Sequence, residues 1–403
     1  MEKPKVRFIG FEGEWKSSKA SEIFMTRDER NRPDLPVLSA CQDIRGMAPR
    51  SISGYDISHD KSNEVTYKRV MPRQFVIHLR SFQGGFAHSS VEGITSPAYT
   101  VFGFKDIQLH NDYYWKYVFM SKNFIERLKT ITYGIRDGRS ISFKEFADMQ
   151  FIFPTCDEQQ QIASYLKSLD SLIQEGTKKI SSLRQLKSAS LLSMFPQVGE
   201  TKPRVRFEEF EGEWGKGKLS QFASRITRKN LKLESQLPLT ISAIDGLISQ
   251  NLFFNSIVAS SNLSRYYLIK EGEFAYNKSY SNGYPFGAVK RLEKYDKGAL
   301  STLYIVFALN NNISSDYLVH FFDTTLWHSE VTKRAAEGAR NHGLLNISAE
   351  DFLDIDIVFP SSLDEQQQIA NFFRSLTNQI SLETQRLDKL KQIKSACLDK
   401  MFV

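Results

Sequence analysis

The feature that most constrains this chain is a long segment that occurs twice. One copy spans residues 153–195 and reads FPTCDEQQQIASYLKSLDSLIQEGTKKISSLRQLKSASLLSMF, and the other spans 359–402 and reads FPSSLDEQQQIANFFRSLTNQISLETQRLDKLKQIKSACLDKMF. The copies align without a gap from Asp157 and Asp364 onward, and both contain the string DEQQQIA. Such a repeat indicates an internal duplication, which any fold assignment must accommodate.

Both copies predict a long helix. Pro154 and Pro360 stand just before the predicted starts, where proline ends a strand and is still tolerated by a helix. Asp157 and Asp364 suit the first turn, because acidic side chains stabilise a helix N-terminus. At a rise of about 1.5 Å per residue each helix is roughly 55–60 Å long, which is too long for the core of a small globule.

The apolar side chains of both copies keep the 4-3 spacing that is typical of a coiled coil. The seam is interrupted at Gly176 and Glu383, and it carries a lysine at Lys187 and Lys394. Because narrow-striped helices of this length need a partner of matching length, we expect the two helices to pack on each other; the alternative is that each packs separately on its own domain. The predicted seam positions are Ile162, Leu166, Leu169, Ile173, Ile180, Leu183, Ile369, Phe373, Leu376, Ile380, Leu387 and Leu390.

The duplication extends to the segments that precede the helices. Residues 4–15 read PKVRFIGFEGEW and residues 203–214 read PRVRFEEFEGEW. β-branched and aromatic runs in both halves predict strands, and the segments 112–129 and 315–333 predict helices. The fold class is therefore mixed α/β (α+β), with two globular domains alternating with two long helices. The predicted boundaries are 1–153 for the first domain, 154–196 for the first helix, 197–202 for a linker, 203–359 for the second domain and 360–403 for the second helix.

Composition restricts the compartment and the partners. The 403 residues carry a formal net charge of +7 and a pI near 9.0, a modest basic excess that fits a nucleic-acid partner without proving one. Cys41, Cys156 and Cys397 are far apart and have no metal-ligand spacing, which indicates a reducing compartment. The N-terminus lacks an apolar targeting run, and no segment is long enough to cross a bilayer. We therefore expect a cytoplasmic protein without a membrane partner.

The usual motifs of catalysis are not found. The string GEWGKGK at residues 212–218 resembles a phosphate-binding loop, but Leu219 follows it instead of the Ser or Thr that holds magnesium, and no apolar strand precedes it. No glycine-rich dinucleotide motif follows a strand, and the histidines form no HExxH pair. A nuclease-type group of carboxylates with a lysine stays open, although no pattern indicates one. We expect a chain that is not an enzyme by itself and binds no cofactor or metal of its own.

The two globular segments share a frame but differ in their polar loops, as HLRSFQGG at 78–85 and NKSYSNG at 277–283 show. Arg136 and Arg340 are favoured contacts, because they occupy equivalent glycine-flanked loops and glycine lets a backbone approach a phosphate closely. The alternative is that these are solvated surface loops. Trp15 and Trp214 are interpreted as core residues. Side chains that suit phosphates and base edges predict DNA contacts at Arg80, Ser81, Gln83, Arg136, Arg139, Asn277, Lys278, Tyr280, Asn282, Arg340 and Asn341.

This alternation of two variable domains with two similar helices resembles the specificity (S) subunit of type I restriction–modification systems. The resemblance covers the whole chain and is carried by RFxxFEGEW from Arg7 and Arg206, by the DEQQQIA helix starts, and by the loops 79–85 and 277–287. It implies an antiparallel coiled coil with pseudo-two-fold symmetry. It also implies that each domain reads one half of a bipartite double-stranded DNA site and that helix length sets the spacer.

The resemblance also implies partners. Two modification subunits would bind S-adenosylmethionine and methylate adenine by base flipping, and restriction or translocase subunits would use ATP and magnesium. These cofactors are expected on the partner subunits. Two other hypotheses remain: a non-DNA scaffold that holds two modules for protein or glycan ligands, and a fused nuclease–methyltransferase fragment, which the missing motifs disfavour.

Overall fold

The structure is a computed structural model, and it describes part of the chain in ten stretches. The chain divides into two compact units, of which unit 1 comprises residues 1–178 with 383–403 and unit 2 comprises residues 179–382. Each unit contains one α/β domain and a part of both long helices. The described residues are 3–41, 46–53, 61–78, 85–131, 141–243, 245–254, 262–280, 283–310, 312–335 and 345–403.

The first domain is built on a six-stranded sheet in the order β2-β9-β6-β7-β4-β3, in which only the β4–β7 pair is parallel among the described residues. Two-stranded sheets pair β1 with β10 and β5 with β8. The strands are β1 Lys16–Lys19, β2 Phe24–Arg27, β3 Leu38–Cys41, β4 Gly46–Pro49, β5 Lys68–Val70, β6 Phe75–Ile77, β7 Phe86–Ser89, β8 Gly93–Thr95, β9 Thr100–Phe104 and β10 Gln150–Phe153. The helices are α1 Ala20–Ile23, α2 Arg50–Ser53, α3 Asp112–Met120, α4 Lys122–Ile131, α5 Phe143–Ala147 and α6 Cys156–Ser193.

The second domain repeats this frame with the sheet divided into β12-β19-β16-β17 and β14-β13-β18-β15, while β11 pairs with β20. Its strands are β11 Gly215–Lys218, β12 Ala223–Arg225, β13 Pro238–Ser242, β14 Gly246–Ser249, β15 Tyr267–Lys270, β16 Phe274–Asn277, β17 Ala288–Arg291, β18 Lys297–Leu300, β19 Ile305–Leu309 and β20 Asp356–Phe359. Its helices are α7 Gln250–Phe254, α8 Ser315–Phe321, α9 Leu326–Arg334, α10 Ala349–Leu353 and α11 Leu363–Lys400. Short 3-10 turns lie at Lys61–Thr66, Leu219–Gln221 and Leu263–Arg265.

The segments 112–129 and 315–333 were each predicted to be one helix, but each forms two helices in the structure. In the first domain Ser121 separates α3 from α4, because its backbone is extended (φ −66°, ψ 149°) and its Oγ accepts a hydrogen bond from Phe124 N at 3.2 Å. The serine therefore ends one helix and caps the next. In the second domain α8 and α9 are separated at 322–325. The prediction of a single helix at 112–129 and at 315–333 was wrong at these breaks.

The two long helices, α6 and α11, contain 38 residues each. In unit 1, Asp170 of α6 is paired with Lys394 of α11, and Gly176 lies beside Leu387. Residue numbers rise along α6 as they fall along α11, so the helices run antiparallel in this unit. The prediction that the helices pack on each other is confirmed here.

Both helices also bury side chains in the domain cores. In unit 1 the start of α6 (Ile162, Leu166) and the end of the chain (Met401, Phe402) lie in one core with the aromatic residues of the sheet. In unit 2 the end of α6 and the start of α11 do the same. The predicted seam positions are buried at Ile162, Leu166, Leu169, Ile180, Ile369, Phe373, Leu376 and Leu387, and half-buried at Ile173, Leu183, Ile380 and Leu390.

Two further sequence features have plain structural outcomes. Cys41, Cys156 and Cys397 are free thiols and are half-buried. Among the described residues, no helix combines the length and the apolar character that crossing a membrane requires.

Candidate nucleic-acid interface

The duplicated strings hold the start of each long helix against its domain. The guanidinium of Arg7 binds the carboxylate of Glu158 with two hydrogen bonds, of 2.7 and 2.8 Å. Arg206 binds Glu365 in the same way, with both bonds at 2.8 Å. Bidentate pairs of this kind fix orientation as well as charge. The Arg of RFxxFEGEW and the Glu of DEQQQIA are therefore partners in both halves.

The first glutamine of each DEQQQIA string makes a second duplicated contact. Gln159 Nε2 donates to the carbonyl of Pro154 at 3.0 Å, and Gln159 Oε1 accepts from Asn111 N at 2.9 Å. Gln366 makes the same two contacts with Pro360 O at 2.8 Å and Ser314 N at 2.8 Å. Each glutamine thus joins three elements: the closing strand, the long helix and the N-cap of α3 or α8.

The tryptophans of the opening strings are part of this packing. Trp15 and Trp214 are both buried. The indole Nε1 of Trp214 donates to Glu365 Oε1 at 3.3 Å. Both tryptophans lie in the cores, as the sequence interpretation expected, so these repeated residues pack the interior of each half.

The last four residues of the string that resembles a phosphate-binding loop form strand β11. Gly215–Lys218 pairs antiparallel with β20. Its two lysines are engaged by a carboxylate of that strand, since Lys216 Nζ lies 2.9 Å and Lys218 Nζ lies 3.0 Å from Asp356. Both lysines thus form ion pairs within this pair of strands.

A buried histidine–aspartate pair in the first domain also has a structural role. His88 Nε2 lies 2.7 Å from Asp112 Oδ2, and Arg73 Nε donates to the other carboxylate oxygen at 3.2 Å. In the second domain the equivalent strand position is Arg291, which donates to Ser315 Oγ at 2.7 Å. Both contacts tie a strand, β7 or β17, to the N-terminus of the next helix, α3 or α8. Among the described residues, no group of three or more His, Cys, Asp or Glu side chains is placed to hold a metal ion.

The divergent loop of the second domain is the turn between β16 and β17. Asn277 ends β16, and its Oδ1 accepts a hydrogen bond from Ser279 N at 3.0 Å, which turns the chain. Lys278 Nζ donates to the carbonyl of Ile347 at 3.1 Å. Tyr280 is 57% exposed. Of these three predicted contacts, Asn277 and Lys278 shape the loop, and Tyr280 presents its side chain to solvent.

The structure brings together the bases of two loops that were predicted separately. Leu345 N donates to the carbonyl of Lys278 at 2.9 Å, so the chain that leads into α10 is bonded to the β16–β17 turn. Gly287 closes the turn with φ +76°, and a Cβ there would lie 1.9 Å from Asn277 O. Only glycine permits this approach. In the part of the second domain that the structure describes, the chain before α10 is therefore held at the β16–β17 turn.

The first domain also has a glycine with a positive φ at the base of its hairpin. His78 N donates to Gly85 O at 2.7 Å across β6 and β7, and Gly85 has φ +83°, which matches Gly287. The predicted contacts that lie outside the described residues are Arg80, Ser81, Gln83, Arg136, Arg139, Asn282, Arg340 and Asn341.

Sequence reasoning missed an aromatic group beside the β16–β17 turn. Phe286 stacks on His328 of α9, with ring centroids 4.6 Å apart. Burial lowers the pKa of His328, which favours the neutral ring. The run YPFG signalled aromatic character at Phe286. His328 had no such signal, because it is distant in sequence and only the fold brings it to the turn.

Two α/β domains, each of which docks the start of one long helix and the end of the other, define a duplicated recognition scaffold. The family model for the type I restriction modification DNA specificity domain matches residues 14–185 and, a second time, residues 220–392. Because the two matches cover most of the chain, it belongs to this family. DNA recognition is the role of the family.

Two solved structures with the same fold come from studies of type I restriction–modification systems. The crystal structure of a type I restriction–modification S subunit from M. genitalium is 13% identical, with a TM-score of 0.62 over 100% of this chain and 99% of that chain. A chain from a study of complex assembly and conformational transition in the type I system is also 13% identical, with a TM-score of 0.52 over 96% of this chain and 97% of that one. At this identity the likeness shows the fold. No curated protein sequence is significantly similar.

Proposed function

We propose that this chain is the specificity subunit of a type I restriction–modification complex and that each α/β domain reads one half of a bipartite double-stranded DNA site. The observation that carries the proposal is the double family match, in which each match includes one domain and much of the helix that follows it. The shared frame and the different β6–β7 and β16–β17 turns suit two modules that read different sequences. Side chains of such turns reach base edges in the major groove.

The spacer between the half-sites is proposed to follow from helix length. A helix of 38 residues is about 57 Å long. One turn of duplex DNA is about 34–36 Å, so this length matches one to two turns. The non-DNA scaffold is not favoured, because the family is defined by DNA specificity.

The chain itself is proposed to be non-catalytic. The chemistry would belong to two modification subunits that bind S-adenosylmethionine and to restriction subunits that use ATP and magnesium. A solved relative comes from a study of complex assembly in the type I system, which supports such partners. On this proposal, removal of magnesium or S-adenosylmethionine leaves the fold of the isolated chain unchanged.

Methylation mapping tests the proposal directly. DNA from cells that express the chain with its modification subunits should carry methyladenine in two short, unlike sequence elements separated by a constant number of unread base pairs. A single continuous motif would contradict the bipartite reading. For the isolated chain, log K for duplex DNA should fall linearly with log salt concentration, and a flat response would favour the non-DNA scaffold.

Tyr280 tests the loop surface of the second domain. We expect Tyr280→Ala to weaken binding to the cognate duplex by about 1–3 kcal/mol, the range for losing a base contact or a stacking contact. Stability should be nearly unchanged, because the side chain is mostly exposed. Gel-shift titration together with thermal unfolding measures both. Leu231→Ala, at another exposed large side chain of the domain, is the control; equal affinities for the two variants would reject the role of Tyr280.

A further inference from the structure

The lysines at equivalent positions of the two long helices meet carboxylates on different elements. In unit 1, Lys394 of α11 pairs with Asp170 of α6. In unit 2, Lys187 of α6 pairs with Asp323, which follows α8 in the domain, with Nζ 3.1 Å from Oδ2. The carboxylate that pairs with the lysine thus belongs to a long helix in unit 1 and to the α/β domain in unit 2.

The duplication identifies which residue replaces each acid. The N-caps of α3 and α8 are Asn111 and Ser314, so Asp323 of the second domain corresponds to Met120 of the first. The aligned helix copies place Thr377 at the position of Asp170. Each unit therefore has an acid at only one of these two positions, which is Asp170 on the helix in unit 1 and Asp323 on the domain in unit 2. The other position is neutral and is occupied by Met120 in unit 1 and Thr377 in unit 2.

In unit 1 the acid on the helix is supported by the first domain. Tyr117 OH donates to Asp170 Oδ2 at 2.7 Å, and the ammonium of Lys394 lies 5.7 Å from the Tyr117 ring centre. The side chain of Lys394 is only 16% exposed. Burying a lysine so far from water is costly unless a carboxylate lies beside it.

In unit 2 the acid on the domain serves two lysines. Asp323 also pairs with Lys290 of β17 at 2.9 Å, and His320, the counterpart of Tyr117, has its Nδ1 3.8 Å away. Burial alone would raise the pKa of Asp323, but the charges of Lys290 and Lys187 and the histidine contact outweigh burial and hold that pKa well below its usual range. Asp323 is therefore an ionised anchor for the end of α6.

A second pair of equivalent positions shows the same difference. In unit 1 the ammonium of Lys167 lies 4.3 Å from the ring centre of Tyr113, which is a cation–π contact. In unit 2 the corresponding Arg374 forms an ion pair with Asp316. In both units the cation is a side chain of a long helix. In the first domain this cation contacts an aromatic ring, and in the second domain it pairs with a carboxylate.

We propose that these positions match each domain to its helices: a domain with a neutral residue at the end of α3 requires Asp at helix position 170, whereas a domain that has its own acid, as Asp323 in unit 2, needs none at the equivalent position 377. A mismatch leaves a half-buried lysine without a carboxylate in either unit, or in unit 1 places two acids beside one lysine. Both outcomes cost stability. Exchange of a recognition domain would therefore succeed best when the helix acid is exchanged with it.

Point variants of the full chain test this matching in unit 1. Asp170→Thr should lower the Tm by about 3–8 °C, since about 1 kcal/mol corresponds to about 2–4 °C for a unit of this size. Adding Met120→Asp, which moves the acid to the domain as in unit 2, should recover at least half of that loss, whereas Met120→Asp alone should destabilise. Asp388→Thr, at an exposed acid in the middle of α11 in the same unit, is the control. A double variant no more stable than Asp170→Thr would overturn the proposal.

A domain exchange tests the same rule in unit 2. In a full-length chain with residues 1–153 in place of 203–359, Lys187 would face Thr377 and a copy of Met120, and it would have no acid. Thr377→Asp should then raise the Tm by several degrees. Asn378→Asp adds the same charge one residue further along the exposed side of α11 and should not raise the Tm. Equal Tm values for these two variants, or no gain from Thr377→Asp, would contradict the matching.

Discussion

The arginine–glutamate pairs show why two short strings recur in this chain. Arg7 and Glu158 are 151 residues apart, and Arg206 and Glu365 are 159 apart, yet both pairs are bidentate. The carboxylates are almost completely buried. A buried carboxylate needs a charged partner with fixed geometry, so a change on one side alone would leave an uncompensated charge.

We predict that Arg206→Met lowers the free energy of unfolding by about 2–4 kcal/mol, because it leaves Glu365 buried at 1% exposure without its partner. Chemical denaturation measures the loss. Arg204→Met is the matched control two residues away: Arg204 is 64% exposed and pairs with Glu200, so its removal should cost less than about 1 kcal/mol. Equal losses would mean that the buried pair does not anchor the helix.

Asp316 gives a prediction for acid stability. Burial alone would raise its pKa, but Arg374 and Arg291 outweigh burial and bring the pKa of Asp316 from 3.8 to about 2. The folded state therefore favours the ionised form. This contribution is complete above about pH 4 and is lost as the pH falls through about 2.

We predict that Asp316→Asn reduces the fall in unfolding free energy between pH 4 and pH 2 by about 1–2 kcal/mol, a value reduced for solvent screening. Denaturation curves at a series of pH values measure this slope. Asp388→Asn, at an exposed carboxylate in the middle of α11, serves as the control. If the slope of Asp316→Asn equalled that of the wild type, the two arginines would not be stabilising this carboxylate.

At the scale of elements, the β16–β17 hairpin depends on one close backbone approach. Gly287 and Gly283 both have φ near +80°, but only Gly287 has a neighbouring backbone atom where a Cβ would lie. Comparison of the two positions separates the cost of the backbone conformation from the cost of the collision.

We predict that Gly283→Ala costs about 1–2 kcal/mol, the usual penalty of a left-handed residue with a side chain, and that Gly287→Ala costs clearly more, because its Cβ meets Asn277 O at 1.9 Å. Thermal unfolding gives the two costs. Gly287→Ala should also weaken binding to cognate DNA, since the hairpin carries Tyr280. Similar stabilities of the two variants would show that the hairpin relaxes without difficulty.

The long helices illustrate what periodicity can and cannot predict. The 4-3 spacing predicted two helices that pack on each other, and the structure confirms this. It did not reveal that the start of each helix, for example Ile162 or Ile369, is buried in a domain core. The same apolar stripe serves both purposes, because a domain and a partner helix both bury apolar surface and leave the same pattern.

At the scale of the whole molecule, the duplication makes the two recognition functions separable. We predict that replacing residues 1–152 with the corresponding domain of another such protein changes one half of the methylated site and leaves the other half and the spacer unchanged. Methylation mapping reads all three. If both half-sites changed together, the domains would not read DNA independently. The stability of such a chain should depend on the acid at position 170, as proposed above.

The duplication, the mixed α/β class and the long paired helices could be predicted before any coordinates, because apolar periodicity and repeated strings are local properties of the chain. The family resemblance followed from those repeats. The tertiary structure alone decided the partners of the repeated residues, such as Glu158 for Arg7, and the joining of the β16–β17 turn to the chain before α10. Contacts between residues far apart in sequence depend on how packed elements meet, and no local pattern records that.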